Sequence, residues 1–273
     1  MLPEPVLTAE DVRVWEAWRR TFSMHARTLA HRRVVDQAKR AADRALSSAT
    51  SPHVAWSAGK DSTALTHLVR VGLGADVPAV SEKDDLDYPG EEAYVLDLAS
   101  AWNLRLEIVR PPVSPMAWLF ARRGQLSAGE DMHSKDAGLS QACFYNVMEQ
   151  ASEGHDVVFW GLRAEESAGR RANRTKRGLF YRVAHGPARC HPLSDWTGLD
   201  VFTYLQANAI EPLPVYRCCG WLPEHRLKPW LIRKSWWIPG AHAKHGQVAW
   251  LRRYWPSLYA KLEELAPDIG AYV

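Results

Sequence analysis

The chain has 273 residues, of which 47% are hydrophobic, and its 34 Lys and Arg residues nearly balance 31 Asp and Glu residues. This length is sufficient for one sizeable hydrophobic core, and we expect one domain with a small appendage. No apolar leader follows Met1, and no uninterrupted apolar run reaches the roughly 20 residues of a membrane helix. Four cysteines are few for this length, so we expect a reduced, soluble, cytoplasmic protein without a disulfide scaffold and without a membrane partner.

The first predicted elements are helical. Thr8 followed by Asp11 indicates a capped helix start, and residues 12–47 contain neither Pro nor Gly. This pattern predicts one long helix or two consecutive helices. We therefore treat residues 1–50 as an N-terminal helical segment.

Four short apolar runs alternate with helical stretches in the next part of the chain. The runs are "HVAWS", "VPAVS", "LRLEIVR" and "DVVFWG", and helices are predicted over 61–72, 91–102 and 138–152. The alternation predicts the α/β class, with a parallel sheet covered by helices on both faces. We expect this α/β domain over residues 51–212 and a Trp-rich, Pro-punctuated extension packed on it over residues 213–273.

The turn after the first predicted strand concentrates groups that bind phosphate. In an open parallel sheet, ligands lie at the carboxyl ends of the strands, where a helix N-terminus attracts anions. Gly59 allows close approach of the backbone and Lys60 supplies positive charge, while hydroxyl donors come from Ser57, Ser62 and Thr63. Neither the Walker pattern nor the dinucleotide-binding glycine pattern fits this turn.

The stretch "SAGKDS" resembles the Ser-x-Gly-Lys-Asp-Ser phosphate loop, or PP-loop, of the adenine nucleotide alpha-hydrolase-like superfamily, and within it the phosphoadenosine phosphosulfate (PAPS) reductase family. The resemblance continues in order through "DYPGEEAYVLDLA", "GLRAEESAGR" and "HPLSDWTGLDVFTYLQANAIEPLPVY", so it spans residues 53–216. It implies a Rossmann-like fold that binds an adenine nucleotide, which is ATP, PAPS or adenosine phosphosulfate (APS). We use the name PP-loop for residues 57–63.

The resemblance also implies two groups of nucleotide-binding residues. The first group holds the phosphate or sulfate end of the nucleotide and consists of Trp56, Ser57, Ala58, Gly59, Lys60, Asp61, Ser62 and Thr63. The second group follows the fourth predicted strand and consists of Gly161, Arg163, Ser167 and Arg170. Three of these residues are the predicted catalytic residues, namely Lys60, Arg163 and Arg170.

Arg163 and Arg170 also have a structural interpretation. A turn between them could direct both guanidinium groups at one anion, but both could instead pair with Glu165 and Glu166 on the surface. Under either interpretation we expect replacement of one arginine by Ala to change stability little. Asp61 would repel phosphates unless it capped loop N–H groups or helped to hold a divalent ion, and we favour the cap.

Other features have ordinary structural explanations. We expect Trp196 to pack in the core beneath a helix start rather than to stack on an adenine. The acidic run over 82–92 is expected to be a solvated loop, with Mg²⁺ binding opposite the PP-loop as the alternative. His242 and His245 match no strong zinc-binding pattern, and the sequence assigns no metal ligand.

The cysteines bear on the type of reaction. Reductases of the family resemble one another in a C-terminal Glu-Cys-Gly-Leu-His nucleophile motif, whereas no cysteine follows Cys219 in this chain. The four cysteines contain no C-x-x-C pair, so we expect free thiols and no iron–sulfur cluster; they are Cys143, Cys190, Cys218 and Cys219. The role of Cys218 and Cys219 stays open.

The resemblance implies three alternative functions. In the first, a substrate oxyanion attacks the α-phosphate and pyrophosphate leaves, with Mg²⁺ expected, as in the ATP pyrophosphatases and the small subunit of bacterial ATP sulfurylase. The others are a sulfonucleotide reductase with a non-standard nucleophile and a non-catalytic nucleotide-binding subunit of a nucleic-acid-modifying complex. Residues 163–253 carry 16 Lys and Arg against 6 Asp and Glu. This balance favours a polyanion such as a nucleotide or a nucleic acid, including a tRNA or DNA substrate, with two solvated faces as the alternative. A sulfur-donor or partner protein and an oligomer also stay open.

Overall fold

The structure, a computed structural model, describes residues 4–85, 87–112, 114, 147, 150–232, 247–265 and 269–272. The helices in these ranges are α1 (Ala9–His25), α2 (Leu29–Ser47), α3 (Lys60–His67), α4 (Glu91–Ala101), α5 (Ala168–Arg177), α6 (Gly198–Ala207), α7 (Pro223–Leu227), α8 (Gln247–Tyr254) and α9 (Pro256–Leu265). The strands are β1 (Pro52–Ala55), β2 (Ala79–Glu82), β3 (Leu106–Val109), β4 (Val157–Phe159), β5 (Phe180–Tyr181) and β6 (Ala188–Cys190). Short 3-10 turns occupy Ala164–Glu166, Pro214–Arg217, Pro229–Leu231 and Ile269–Tyr272, and a π-helical turn over Leu68–Gly72 continues α3. None of the helices in these ranges is long and apolar enough to cross a bilayer.

The six strands form one sheet in the order β3-β2-β1-β4-β6-β5. All neighbouring pairs are parallel except β5 and β6, which are antiparallel. The chain runs from β1 to β2 and β3 on one side of the sheet and then crosses to β4 on the other side of β1. The place beside β1 where the strand order reverses is the switch point at which α/β proteins bind ligands. The arrangement confirms the predicted Rossmann-like α/β fold and puts the PP-loop at that point.

The four strands predicted from the sequence are confirmed as β1 to β4, and two strands were missed. Strand β6 has three residues, of which Arg189 is exposed, and β5 has two, so neither carries an apolar run. They exist because β6 pairs with β4 and β5 pairs with β6. The predicted helix over 138–152 falls largely outside the described residues.

The N-terminal segment forms two consecutive helices. Thr8 and Asp11 form the predicted capping box at the start of α1, and the Thr28 side chain caps α2. Asp11 also accepts hydrogen bonds from Gly220 N (2.6 Å) and the Tyr254 hydroxyl (3.0 Å). One capping residue therefore ties the first helix to the C-terminal part of the chain.

Aromatic side chains from distant parts of the sequence join in one core. Phe202 stacks on Phe22 with ring centroids 5.4 Å apart and meets the edge of Trp15. Trp196 is buried and donates from its indole nitrogen to Val34 O (3.1 Å), so the prediction that it packs in the core is confirmed. The same core contains residues of all three predicted segments; the boundaries at 50 and 212 stay predictions.

The acidic run over 82–92 is only partly a solvated loop. Lys83 is 1% exposed, and its ammonium group contacts Glu91 Oε1 at 2.5 Å and Asp87 Oδ2 at 3.3 Å. The simple prediction of a solvated loop is wrong here, because a buried cation inside the run attracts the carboxylates around itself.

Three buried histidines predict a loss of stability in acid. Burial lowers the pKa of His53, His67 and His191 to about 4, with nearby basic groups as the smaller cause. The unfolded chain protonates these rings near pH 6.5, so between that pH and about 4 it binds more protons than the folded chain. The free energy of unfolding should be unaffected above this window and should fall inside it by up to about 1.4 kcal/mol per pH unit for each histidine. Urea unfolding at pH values near 7.5 and 5 measures the effect, and equal stabilities would contradict it.

Candidate functional site

The PP-loop connects β1 to the N-terminus of α3, and its own hydroxyl groups hold it in shape. Ser62 Oγ accepts from Ser57 N (3.2 Å) and donates to Gly59 O (3.1 Å). Thr63 Oγ1 donates to Ala58 O (3.3 Å), and Ala58 adopts a left-handed conformation with a φ of 57°. Such a conformation costs a non-glycine residue about 1–2 kcal/mol, so these hydrogen bonds stabilise a tight loop.

Trp56 lies at the start of this loop, but its side chain belongs to the core. The ring is 1% exposed and stacks on Trp102 with centroids 5.7 Å apart. Its indole nitrogen donates to Thr63 Oγ1 (3.1 Å). Any contact of Trp56 with a ligand must therefore come from its backbone.

Asp61 lies between two cations rather than on the loop N–H groups. Lys60 Nζ donates to Asp61 Oδ2 (2.8 Å) and Arg163 Nε donates to Asp61 Oδ1 (2.5 Å). The N-cap of α3 is Gly59, and no side chain caps it, so the cap predicted for Asp61 is wrong. Burial alone would raise the pKa of Asp61, but the charges of Lys60 and Arg163 outweigh it and hold the pKa below its usual value.

Arg163 is the buried centre of this group of charges. Its side chain is 2% exposed and contacts Asp61, Glu165 and Glu166. Arg170, whose side chain is 41% exposed, pairs with Glu166. The pairing of these two arginines with Glu165 and Glu166, which the sequence left as an alternative, is thus present in the structure. We call these six residues the ion cluster: Lys60, Asp61, Arg163, Glu165, Glu166 and Arg170.

Gly161 and Ser167 support the site in different ways. A Cβ atom on Gly161 would lie 2.8 Å from Ser62 N and 2.9 Å from Asp61 C, so glycine is needed for close packing against the PP-loop backbone. Ser167 is the N-cap of α5 and accepts from Arg170 N (3.1 Å). The Ser167 hydroxyl therefore positions the helix that carries Arg170, and a contact with ligand stays a prediction for both residues.

The ion cluster is electrically balanced, since it contains three cations and three carboxylates. An anionic ligand must therefore separate an arginine or Lys60 from a carboxylate. The described residues do not form a ready Mg²⁺ site here, because Asp61 and Glu166 already accept from basic side chains through both of their oxygens. The expected Mg²⁺ stays a prediction, and it would bind the phosphates of the nucleotide.

Sequence reasoning missed Tyr216, which lies against the PP-loop. Lys60 N donates to the Tyr216 hydroxyl (3.2 Å), and Lys60 Nζ lies 5.6 Å from the centre of the same ring. Glu165 was assigned only to a surface pair, yet its Oε1 also accepts from Gly198 N (2.7 Å) at the start of α6. The sequence carries no local signal for either contact, because the partners are 156 and 33 residues apart.

The described cysteines are buried thiols. Cys190, Cys218 and Cys219 are fully buried and free, as predicted for these three; Cys143 lies outside the described residues. Burial raises the pKa of Cys190 and Cys219 to about 12 and that of Cys218 well above its usual value. None of these three thiols has the thiolate character of a nucleophilic cysteine.

The fold and the loop together define the class of protein. A Rossmann-like sheet whose central strand leads through a Gly-Lys loop into a helix N-terminus has the architecture of α/β domains that bind phosphate groups at the switch point. Residues 51–218 match the family model described as phosphoadenosine phosphosulfate reductase domain. The chain belongs to this family, which confirms the resemblance seen in its motifs.

Curated relatives agree with this assignment, and a solved structure is similar in fold. Phosphoadenosine 5'-phosphosulfate reductase of Xanthomonas campestris pv. campestris is 30% identical over 149 residues, which cover 52% of this chain and 56% of the relative. The protein of the same name from Alkalilimnicola ehrlichii is 28% identical, with 52% of this chain and 55% of the relative covered. The chain thus spans about half the length of these curated relatives. The crystal structure of PAPS reductase from Candida auris, a phosphate complex, is similar in fold, with a TM-score of 0.50, 16% identity and coverage of 64% of this chain and 81% of that chain.

Proposed function

We propose that this chain binds an adenine nucleotide at the PP-loop and promotes attack of a substrate oxyanion on the α-phosphate. The observation that carries the proposal is the pair of buried cations, Lys60 and Arg163, which contact Asp61 at the N-terminus of α3. Basic groups and free N–H groups at a helix N-terminus suit a phosphate on which negative charge develops.

The chemistry requires placement and charge stabilisation more than proton transfer. The acceptor oxygen forms a bond to the α-phosphorus while the bond to the bridging oxygen breaks, and pyrophosphate leaves with that electron pair. Lys60 Nζ and the positive end of the α3 dipole would bind the phosphates, and Arg163 and Arg170 would exchange carboxylates for phosphate oxygens. In-line placement of the acceptor supplies the remaining acceleration.

Sulfonucleotide reduction is the second candidate function, and the names of the curated relatives favour it. The buried state of Cys190, Cys218 and Cys219 argues against reduction by these thiols. A reductase built on this chain would therefore need Cys143 or a thiol from another protein as its nucleophile.

Two assays on one preparation distinguish the functions. ATP with Mg²⁺ is tested for release of pyrophosphate, with and without tRNA or DNA as acceptor, and PAPS or APS with a dithiol donor is tested for release of sulfite. Pyrophosphate release that is lost in Lys60→Ala would support the proposal. Sulfite release without pyrophosphate would replace it with reduction, and binding of ATP without either product would identify a non-catalytic nucleotide-binding subunit.

Replacement of Lys60 by Ala should weaken binding of ATP and PAPS at least about tenfold, because a charged hydrogen bond contributes about 1.5–3 kcal/mol. The fold should survive, since Arg163 still donates to Asp61 in the variant. Calorimetry measures the affinity and circular dichroism checks the fold. Unchanged affinity for both nucleotides would contradict the assignment of the PP-loop as the binding site.

A further inference from the structure

A second cluster of ligand-type side chains lies where the α1–α2 turn meets the start of α6. His25 Nε2 is 2.8 Å and His31 Nδ1 is 3.0 Å from the same atom, Asp200 Oδ1. The three atoms lie within 4.8 Å of one another. The side chains are 20%, 6% and 8% exposed, respectively, so the cluster is sheltered and solvent reaches it past His25.

Hydrogen bonds outside the cluster hold the backbone that carries the two histidines and the carboxylate of Asp200. Thr28 Oγ1 donates to His25 O (2.8 Å) and accepts from His31 N (3.2 Å), so the helix turn sets the separation of the two rings. Asp200 Oδ2 accepts from Thr197 N (2.9 Å) and from Thr197 Oγ1 (2.6 Å). Thr197 and Asp200 form the capping box at the start of α6. This capping box fixes the carboxylate and directs Asp200 Oδ1 at the histidines.

Two imidazoles and one carboxylate are ligands that zinc takes in proteins. Tetrahedral zinc bonds of about 2.0–2.1 Å separate the ligand atoms by about 3.3 Å. The distances from Asp200 Oδ1 to the two ring nitrogens, 2.8 and 3.0 Å, are a few tenths of an ångström shorter, and all three atoms lie within 4.8 Å of one another. Each ring has the required lone pair when its proton resides on the other ring nitrogen. A small adjustment of the two rings around Asp200 Oδ1, with each ring proton on the nitrogen that faces away from it, would thus convert the hydrogen-bonded cluster into a metal site.

We propose that His25, His31 and Asp200 bind one zinc ion, with water in the fourth position, and so clamp the α1–α2 turn to α6. Three protein ligands with an open position match an exchangeable site rather than a closed structural one. The two imidazoles select zinc and similar transition metals over Mg²⁺ and Ca²⁺, which prefer oxygen ligands. This site is separate from the ion cluster, so the proposal does not depend on the proposed function.

The zinc-free fold does not depend on this clamp. Phe22 stacks on Phe202 with centroids 5.4 Å apart, and Gln206 Nε2 donates to Arg19 O (2.8 Å) and Ser23 Oγ (2.6 Å). These contacts join α1 to α6 next to the cluster. Variants that lose the metal should therefore still fold.

The test uses the untagged full chain and Zn²⁺ as the only added ligand. His25→Gln and His31→Asn each put an amide nitrogen where the ring nitrogen stood, so they keep the hydrogen bond to Asp200 but offer a poor zinc ligand. We expect one zinc per chain in the unaltered protein, a thermal midpoint several degrees higher with zinc, and at least tenfold weaker binding in each variant. The matched control is His185→Ala, which removes an exposed histidine outside the cluster and should leave zinc binding unchanged.

Cobalt provides a second readout, since Co²⁺ in a tetrahedral site gains visible absorption that both amide variants should lose. The proposal is wrong if the protein binds no zinc, or if His25→Gln and His31→Asn bind it as tightly as the unaltered chain. It is also wrong if zinc binding is lost only on replacement of His242 and His245, which lie outside the described residues. Zinc-free stability, measured for every variant, separates loss of a ligand from loss of the fold.

Discussion

Replacement of Arg163 by Ala should lower the free energy of unfolding by about 3–5 kcal/mol, the usual cost of removing one partner from a buried ion pair. Three carboxylates would lose their common cation, since the guanidinium contacts Asp61, Glu165 and Glu166. This differs from the expectation based on sequence alone, in which stability changes little. The difference arises because the Arg163 side chain is 2% exposed rather than on a surface turn.

Denaturant unfolding of the variant measures this loss, and pH provides its internal check. Protonated carboxylates need no countercharge, so the difference in stability between the unaltered chain and Arg163→Ala should shrink as the pH falls below 3.8, the usual pKa of an aspartate. The sign follows from Asp61, whose lowered pKa gives stability at neutral pH that is lost in acid. A difference below about 1 kcal/mol at neutral pH would show that the carboxylates find other partners.

Arg170 is the matched control for Arg163. Its side chain is 41% exposed and pairs with Glu166, so Arg170→Ala should cost at most about 1 kcal/mol of stability. If Arg170 contacts the nucleotide, the same variant should lose about 1.5–3 kcal/mol of binding or transition-state stabilisation. Lysine replacements refine the test, because a bidentate contact with phosphate needs the guanidinium geometry. Normal affinity and turnover in both Arg→Lys variants would refute the proposal that Arg163 and Arg170 bind phosphate oxygens.

Most of the fold could be predicted from the sequence because its signals are local. The strands β1 to β4 follow from apolar runs between helical stretches, and the start of α1 follows from Thr8 and Asp11. Strand β6 could not be predicted, because its three residues include exposed Arg189 and it is ordered by pairing with β4. The break between α1 and α2 has no Pro or Gly, and its one signal is the capping residue Thr28.

The candidate site was predictable in its composition but not in its contacts. The spacing of Ser57, Gly59 and Lys60 marks the loop, and the fold places it at the switch point. One of the two partners of Asp61, Arg163, lies 102 residues away. The cluster of His25, His31 and Asp200 joins residues up to 175 positions apart. Tertiary packing decides such contacts, so the sequence could indicate which groups were present but not that a balanced ion cluster would form.

Replacement by Ala should change the stability of the protein differently at two glycines of the site. On Gly161 the new Cβ would lie 2.8–2.9 Å from backbone atoms of Asp61 and Ser62, which cannot rotate aside as a side chain can. Overpacking of this kind costs about 1–3 kcal/mol, and it should shift the start of α3. Gly161→Ala should therefore lower stability and nucleotide affinity together.

Gly59→Ala should leave stability unchanged or slightly increased. Its Cβ would lie 3.5 Å from Ser57 Oγ and 3.7 Å from the Tyr216 hydroxyl, which is ordinary contact, and the φ of −63° suits any residue. Replacing a glycine where Ala fits adds about 0.4–1 kcal/mol of stability. The remaining reason for glycine at this position is close approach of a phosphate to the backbone, so affinity for ATP and PAPS should fall at least about tenfold in a fully folded variant. Calorimetry and urea unfolding on both variants separate the two effects, and full affinity in Gly59→Ala would show that the phosphate does not approach the loop backbone at this residue.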